Sequence, residues 1–121
     1  MNEYEYLVGD NIWVKGNDGL KILKDSPYFI SGPKVSEPCV FYNPYLNKYV
    51  LIHNFNGAAM YLSDNAYGPF EDKISLIPGE HKPVYGSFTS KNLLDENGKV
   101  FYLTASQWEE YNIYLYKVTL K

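Results

Sequence analysis

Acid–base chemistry near neutral pH needs carboxylates or histidines, and this chain of 121 residues holds 14 acidic residues and two histidines. Glu37 stands directly before a β-prone run, Cys39-Val40-Phe41-Tyr42. Pro38 follows it, fixing φ and removing one backbone donor beside the carboxylate. Asp64 follows a strand-like segment, Asp95 and Glu96 lie in a turn, and Glu109 and Glu110 lie in a loop. Each of these reads as a solvated surface charge. His53 sits mid-strand, where a satisfied packing residue is expected, and His81 lies in a loop before a strand. Neither histidine has a ligand-spaced partner, and no acidic run has calcium-loop spacing. The single Cys39 excludes an internal disulfide and a cysteine-based zinc site. No metal and no cofactor is therefore expected. The serines lack a nucleophile elbow, so a Ser-His-Asp arrangement has no support. Trp108 and Tyr111 offer aromatic faces of the kind that stack on sugar C–H surfaces, although packing is the commoner use of such rings.

The elements that must hold these groups are strands. Aromatic residues make up 17% of the chain, with 13 Tyr, while Ala occurs only at 58, 59, 66 and 105. That balance, punctuated by 9 Gly and 7 Pro, favours β-structure. A single domain of this size buries roughly two thirds of its unfolded surface, enough for a core. Net charge is −3 and every cationic residue is Lys. Without Arg there is no bidentate fork for phosphate or guanine, so no nucleic-acid partner is expected. No apolar run is long enough to span a membrane. The acidic start, Met1-Asn2-Glu3-Tyr4-Glu5-Tyr6, is not a signal peptide. A complete chain of this kind is expected in the cytoplasm, and a fragment of a longer protein could be secreted.

Turn signals divide the strands. Asn43-Pro44-Tyr45-Leu46-Asn47 joins Cys39–Tyr42 to Tyr49–Phe55, and Asn56-Gly57 has the type I′ pattern before Ala58–Ser63. Gly68-Pro69 ends this unit, with Phe70-Glu71 opening a short outer strand. A second unit repeats the grammar: Ser87-Phe88-Thr89, a turn at Asp95–Gly98, Val100–Ala105, a connection at Trp108–Tyr111, then Ile113–Val118. Lys48 and Lys99 precede the two middle strands, 51 positions apart. A repeat of about 50 residues with three or four strands each is the period of propeller blades. The middle strands Val50-Leu51-Ile52 and Val100–Leu103 are apolar on both faces, as a strand covered from both sides would be. The expectation is an all-β, antiparallel set of about two and a half propeller blades in an incomplete ring. Residues 1–34 would end a preceding blade, 35–84 form one blade and 85–121 the closing blade. A β-sandwich is the alternative.

The stretch Val35-Ser36-Glu37-Pro38-Cys39-Val40-Phe41-Tyr42-Asn43-Pro44-Tyr45-Leu46-Asn47-Lys48-Tyr49 resembles the bacterial family called domain of unknown function 4185. Its members are five-bladed propellers shaped like glycosidases. Ser63-Asp64-Asn65-Ala66-Tyr67-Gly68-Pro69-Phe70 is similar to the outer turn of such propellers. Tyr85–Thr89, Leu103–Trp108 and Tyr111–Leu115 resemble the closing blade. The family's domain is more than twice this length, so its earlier blades have no counterpart here.

The resemblance implies a carbohydrate setting, with acidic groups at the starts of inner strands around a central funnel. Glu37 would then be a general acid, and His81, Tyr85, Trp108 and Tyr111 would contact substrate. Hydrolysis of a glycosidic bond needs two carboxylates flanking it, and no second one is placed like Glu37. The chain is accordingly expected to be the C-terminal portion of a glycosidase-like propeller that is not catalytic alone. The alternative is a non-enzymatic structural or interaction module that self-associates through apolar blade faces. Either way the expected partners are carbohydrate, missing blades or further copies of the chain.

Overall fold

The computed structural model describes residues 4–28, 36–54, 57–79 and 84–121. Strands take 58% of these residues and every pairing is antiparallel, so the chain is all-β in character without a closed barrel. It opens with a hairpin of β1 (Glu5–Gly9) and β2 (Ile12–Lys15), followed by a short helix, α1 (Gly16–Leu23). The sequence pattern predicts no helix in this segment. Gly19, costing about 1 kcal/mol in the helix interior, and Gly16 at its first position hide the helical signal of Leu20 and Leu23. Gly19 is nevertheless required: a Cβ there would lie 2.1 Å from the Val14 carbonyl oxygen, so only glycine lets the helix lie on its hairpin.

The first sheet is a four-stranded meander in chain order: β3 (Ser36–Asn43), β4 (Lys48–Asn54), β5 (Gly57–Ser63) and β6 (Glu71–Pro78). The β3–β4 turn is the expected Asn-Pro turn. Asn43 Oδ1 accepts from the N–H groups of Tyr45 and Leu46 at 3.0 and 3.2 Å, and Asn47 takes a φ of 51°. Asn56 lies outside the described residues. β6 runs for eight residues, longer than the short outer strand expected.

The second sheet is built around β9 (Val100–Gln107) from β7 (Val84–Phe88), β8 (Leu94–Asp95) and β10 (Ile113–Thr119). β10 lines one edge of β9, while β7 and β8 share the other. The sheets are consecutive in sequence and, among the described residues, exchange no strand.

One face of each sheet forms the core. Phe41, Val50, Ile52, Ala58, Met60 and Ile77 pack with Val84, Phe101, Leu103 and Ala105. β4 is buried on both faces, with Val50 and Ile52 toward the second sheet and Leu51 and His53 away from it. β9 departs from the two-sided burial expected of both middle strands. Phe101, Leu103 and Ala105 are buried, but Tyr102, Thr104 and Ser106 on the other face stay half-exposed. Polar ties join the sheets: Cys39 Sγ donates to the Thr89 carbonyl at 3.3 Å and Asn43 Nδ2 to the Gly98 carbonyl at 2.9 Å. Among the described residues, no helix is long and apolar enough to cross a membrane.

Candidate functional site

Glu37 lies in an irregular stretch of β3, where the register against β4 shifts between Ser36 and Cys39. Its φ is +54°, a left-handed conformation that costs a non-glycine residue about 1–2 kcal/mol. The following Pro38 makes it more unusual, because a residue before proline is pushed toward extended backbone. Bulges of this sort re-aim a side chain and gather next to functional sites. Here the carboxylate is turned onto the neighbouring sheet. Glu37 Oε2 accepts from the Gly86 N–H and, at 3.2 Å, from Asn54 Nδ2. Asn54 Oδ1 in turn accepts from Ser87 Oγ, and both Asn54 and Ser87 are buried. A carboxylate holding two donors is arranged as an acceptor, which suits a base, a nucleophile or a partner for sugar hydroxyls.

Gly86 can donate to Glu37 because it has a φ of +60° within the β7 irregularity between Tyr85 and Phe88. Its neighbour Tyr85 packs on Trp108, with ring centroids 4.4 Å apart. Trp108 belongs to the β9–β10 turn, which closes through the Tyr111 N–H donating to the Gln107 carbonyl at 2.9 Å. Trp108 and Tyr111 are 52% and 72% exposed, so their faces are open to a ligand rather than spent on core packing. The start of β3, the start of β7 and the end of β9 thus bring Glu37, Tyr85, Trp108 and Tyr111 to one end of the two sheets. His81 lies outside the described residues.

Of the other carboxylates weighed in the sequence, three have partners of their own. Asp64 pairs with Lys48 Nζ at 2.6 Å, Asp95 accepts from the Glu96 N–H at 2.8 Å, and Glu110 accepts from the Tyr114 hydroxyl. Among the described residues, no three His, Cys, Asp or Glu side chains gather as a metal site. His53 is buried and stacked on Tyr61 at 5.0 Å, but its Nδ1 has no hydrogen-bond partner, unlike the satisfied residue expected.

Asn54, Gly86 and Ser87 were missed by sequence reasoning. A glycine inside a β-prone run was the one usable signal, because it marks a bulge or a close backbone approach.

Separating the strain at Glu37 from its hydrogen bonds gives a direct check. Glu37→Ala should destabilise the fold by about 1–2 kcal/mol through loss of the two acceptor contacts. Glu37→Gly should be milder, since glycine relieves the left-handed backbone. Urea unfolding of both variants reads the difference. No protein-family model and no curated protein sequence matches the chain.

Proposed function

We propose that the chain is a portion of a carbohydrate-active, glycosidase-like β-propeller, contributing a sugar-binding edge that is not catalytic alone. The observation that carries this reading is Glu37. A non-glycine residue held in left-handed backbone before a proline, with its carboxylate anchored across to the next sheet, is a costly arrangement for an ordinary surface charge. The two sheets, consecutive in sequence, the first a meander and neither lending a strand to the other among the described residues, support blades over an interleaved sandwich. β3 and β7 would be their inner strands, with Glu37 at the start of one and Gly86 on the other. Tyr85, Trp108 and Tyr111 would supply the stacking surface and Glu37 the acceptor for sugar hydroxyls. The resemblance to the domain of unknown function 4185 family points the same way.

Hydrolysis would need a second carboxylate roughly 5–9 Å from Glu37; Asp64 and Asp95 are bonded away from the site, and Glu110, in the turn that carries Trp108 and Tyr111, is taken by the Tyr114 hydroxyl. Titration of the purified chain with arabinan, xylan and fructan oligosaccharides should show weak binding without turnover. Trp108→Ala should weaken that binding by roughly tenfold, the worth of one good aromatic contact. Glu37→Gln should weaken it as well. Absence of binding to the whole panel would overturn the carbohydrate reading. Turnover lost in Glu37→Gln would instead show that the second carboxylate comes from this chain.

A further inference from the structure

The hydrogen bonds that reach Glu37 fit together in one direction only. Asn54, the last residue of β4 and 3% exposed, sits between the Glu37 carboxylate and the Ser87 hydroxyl of β7. An ionised carboxylate only accepts, so the Asn54 atom facing it has to be the Nδ2 donor. That places Oδ1 against Ser87, and the Ser87 hydroxyl, on a residue 2% exposed, has to donate to it. Turning the buried amide over would set its oxygen against the carboxylate and leave a buried bond unmade. The third group agrees. A Cβ at Gly86 would meet nothing within 4 Å, so glycine stands there for its φ of +60° and not for lack of room. With that backbone the Gly86 N–H donates to the same oxygen, Oε2. Glu37 is itself exposed, and both bonds fall on Oε2, which leaves Oε1 to a ligand.

We propose that Asn54 and Ser87 are positioning residues of this site. Ser87 fixes the Asn54 amide, Asn54 and the Gly86 N–H hold Oε2, and Oε1 is presented as a charged acceptor for a hydroxyl on the ligand. Buried partners of this kind lock the rotamer of the group that binds. The inference rests on the carbohydrate reading for the identity of the ligand, whereas the geometry stands without it. A plain tie between the two sheets would use the same bonds, and exchanging the charge between Glu37 and Asn54 separates the two roles.

Asn54→Asp sets two carboxylates face to face and should lower the melting temperature by about 10 °C. Adding Glu37→Gln should recover at least half of that loss. The introduced amide then donates to the introduced carboxylate, Ser87 still donates, and the Gly86 N–H keeps an acceptor. The double variant thus keeps the tie between sheets but has no charged oxygen at position 37. Titrated with the arabinan, xylan and fructan oligosaccharides, it should bind about tenfold more weakly than the wild type despite its restored fold. Ser87→Ala, which leaves Glu37 and Asn54 in place, should weaken binding about fivefold. It should also speed hydrogen exchange at the Gly86 amide about fivefold beyond any change at the β9 amides, which report global opening. If no oligosaccharide binds the wild type, the carbohydrate reading falls, while melting and exchange still decide whether Asn54 and Ser87 hold Glu37. An Asn54→Asp chain as stable as the wild type, a double variant without recovery, or Gly86 exchange that only follows β9 would overturn the proposal. A rescued double variant that binds sugar as tightly as the wild type would overturn it too, leaving these bonds as a tie between sheets.

Discussion

Phe101→Ala is expected to lower the free energy of unfolding by about 3–5 kcal/mol, the range for removing a fully buried phenylalanine. Phe101 has no exposed surface, and it lies on β9 with its ring 5.6 Å from that of Phe41 on β3. It belongs to both halves of the core at once, so the cavity left behind opens between two sheets and not inside one. Collapse around it would require one sheet to move against the other, and the inter-sheet bonds of Asn43 and Cys39 resist that motion. A small domain has only about 5–15 kcal/mol in hand, so this one substitution removes a large share. Ile113→Ala on the exposed face of β10 provides the contrast, with a change near 0.5 kcal/mol or less. Urea unfolding measures both. A loss under about 1 kcal/mol for Phe101→Ala would mean that the two sheets do not share a core.

That shared core explains what sequence could and could not announce. The strands were legible because their apolar runs are bounded by turns with local chemistry. Asn43-Pro44 and Asp95–Gly98 close on themselves through contacts one to three residues long, so no distant partner is needed to recognise them. Helix α1 was not legible, since its interior glycine, Gly19, serves the packing of the helix on Val14, a tertiary fact. The two middle strands looked alike in composition, yet only β4 is buried on both faces. Composition carries the capacity to be covered, and whether a neighbour arrives is decided elsewhere in the fold.

The candidate site divides the same way. Glu37 was distinguishable by its place before Pro38 and a strand, and Trp108 and Tyr111 by their place in a turn. Their convergence rests on a bond between Glu37 and Gly86, 49 residues apart, and on the Tyr85–Trp108 contact across β7 and β9. The buried pair Asn54 and Ser87 carries no sequence signature, because their only distinction is to satisfy each other and Glu37.

The opposite end of β3 holds the second large prediction. Asn43→Ala is expected to cost about 2–4 kcal/mol, because three hydrogen bonds of a side chain with no exposed surface disappear together. Two of them shape the β3–β4 turn, and the third ties that turn to the Gly98 carbonyl of the second sheet. Gly98 closes the site from the other side: its φ is +89°, and a Cβ there would lie 2.6 Å from Asn43 Oδ1. The two roles can be pulled apart with Asn43→Asp. The acid keeps the acceptor for the Tyr45 and Leu46 N–H groups but turns the former donor into an oxygen facing the Gly98 carbonyl. When ionised it buries a charge against a carbonyl oxygen, so its folded-state pKa must rise above the ordinary carboxylate value of about 3.9. A raised folded pKa favours the protonated fold, in which the acid can donate to Gly98. The variant should therefore come nearest to the wild type near pH 4 and lose ground as pH rises toward neutrality. Asn43→Ala, with nothing to titrate, should show a deficit that does not change over that window. Chemical unfolding of the three proteins at both ends of the range decides it, and an Asn43→Asp deficit independent of pH would show that the Gly98 bond does not hold the sheets together.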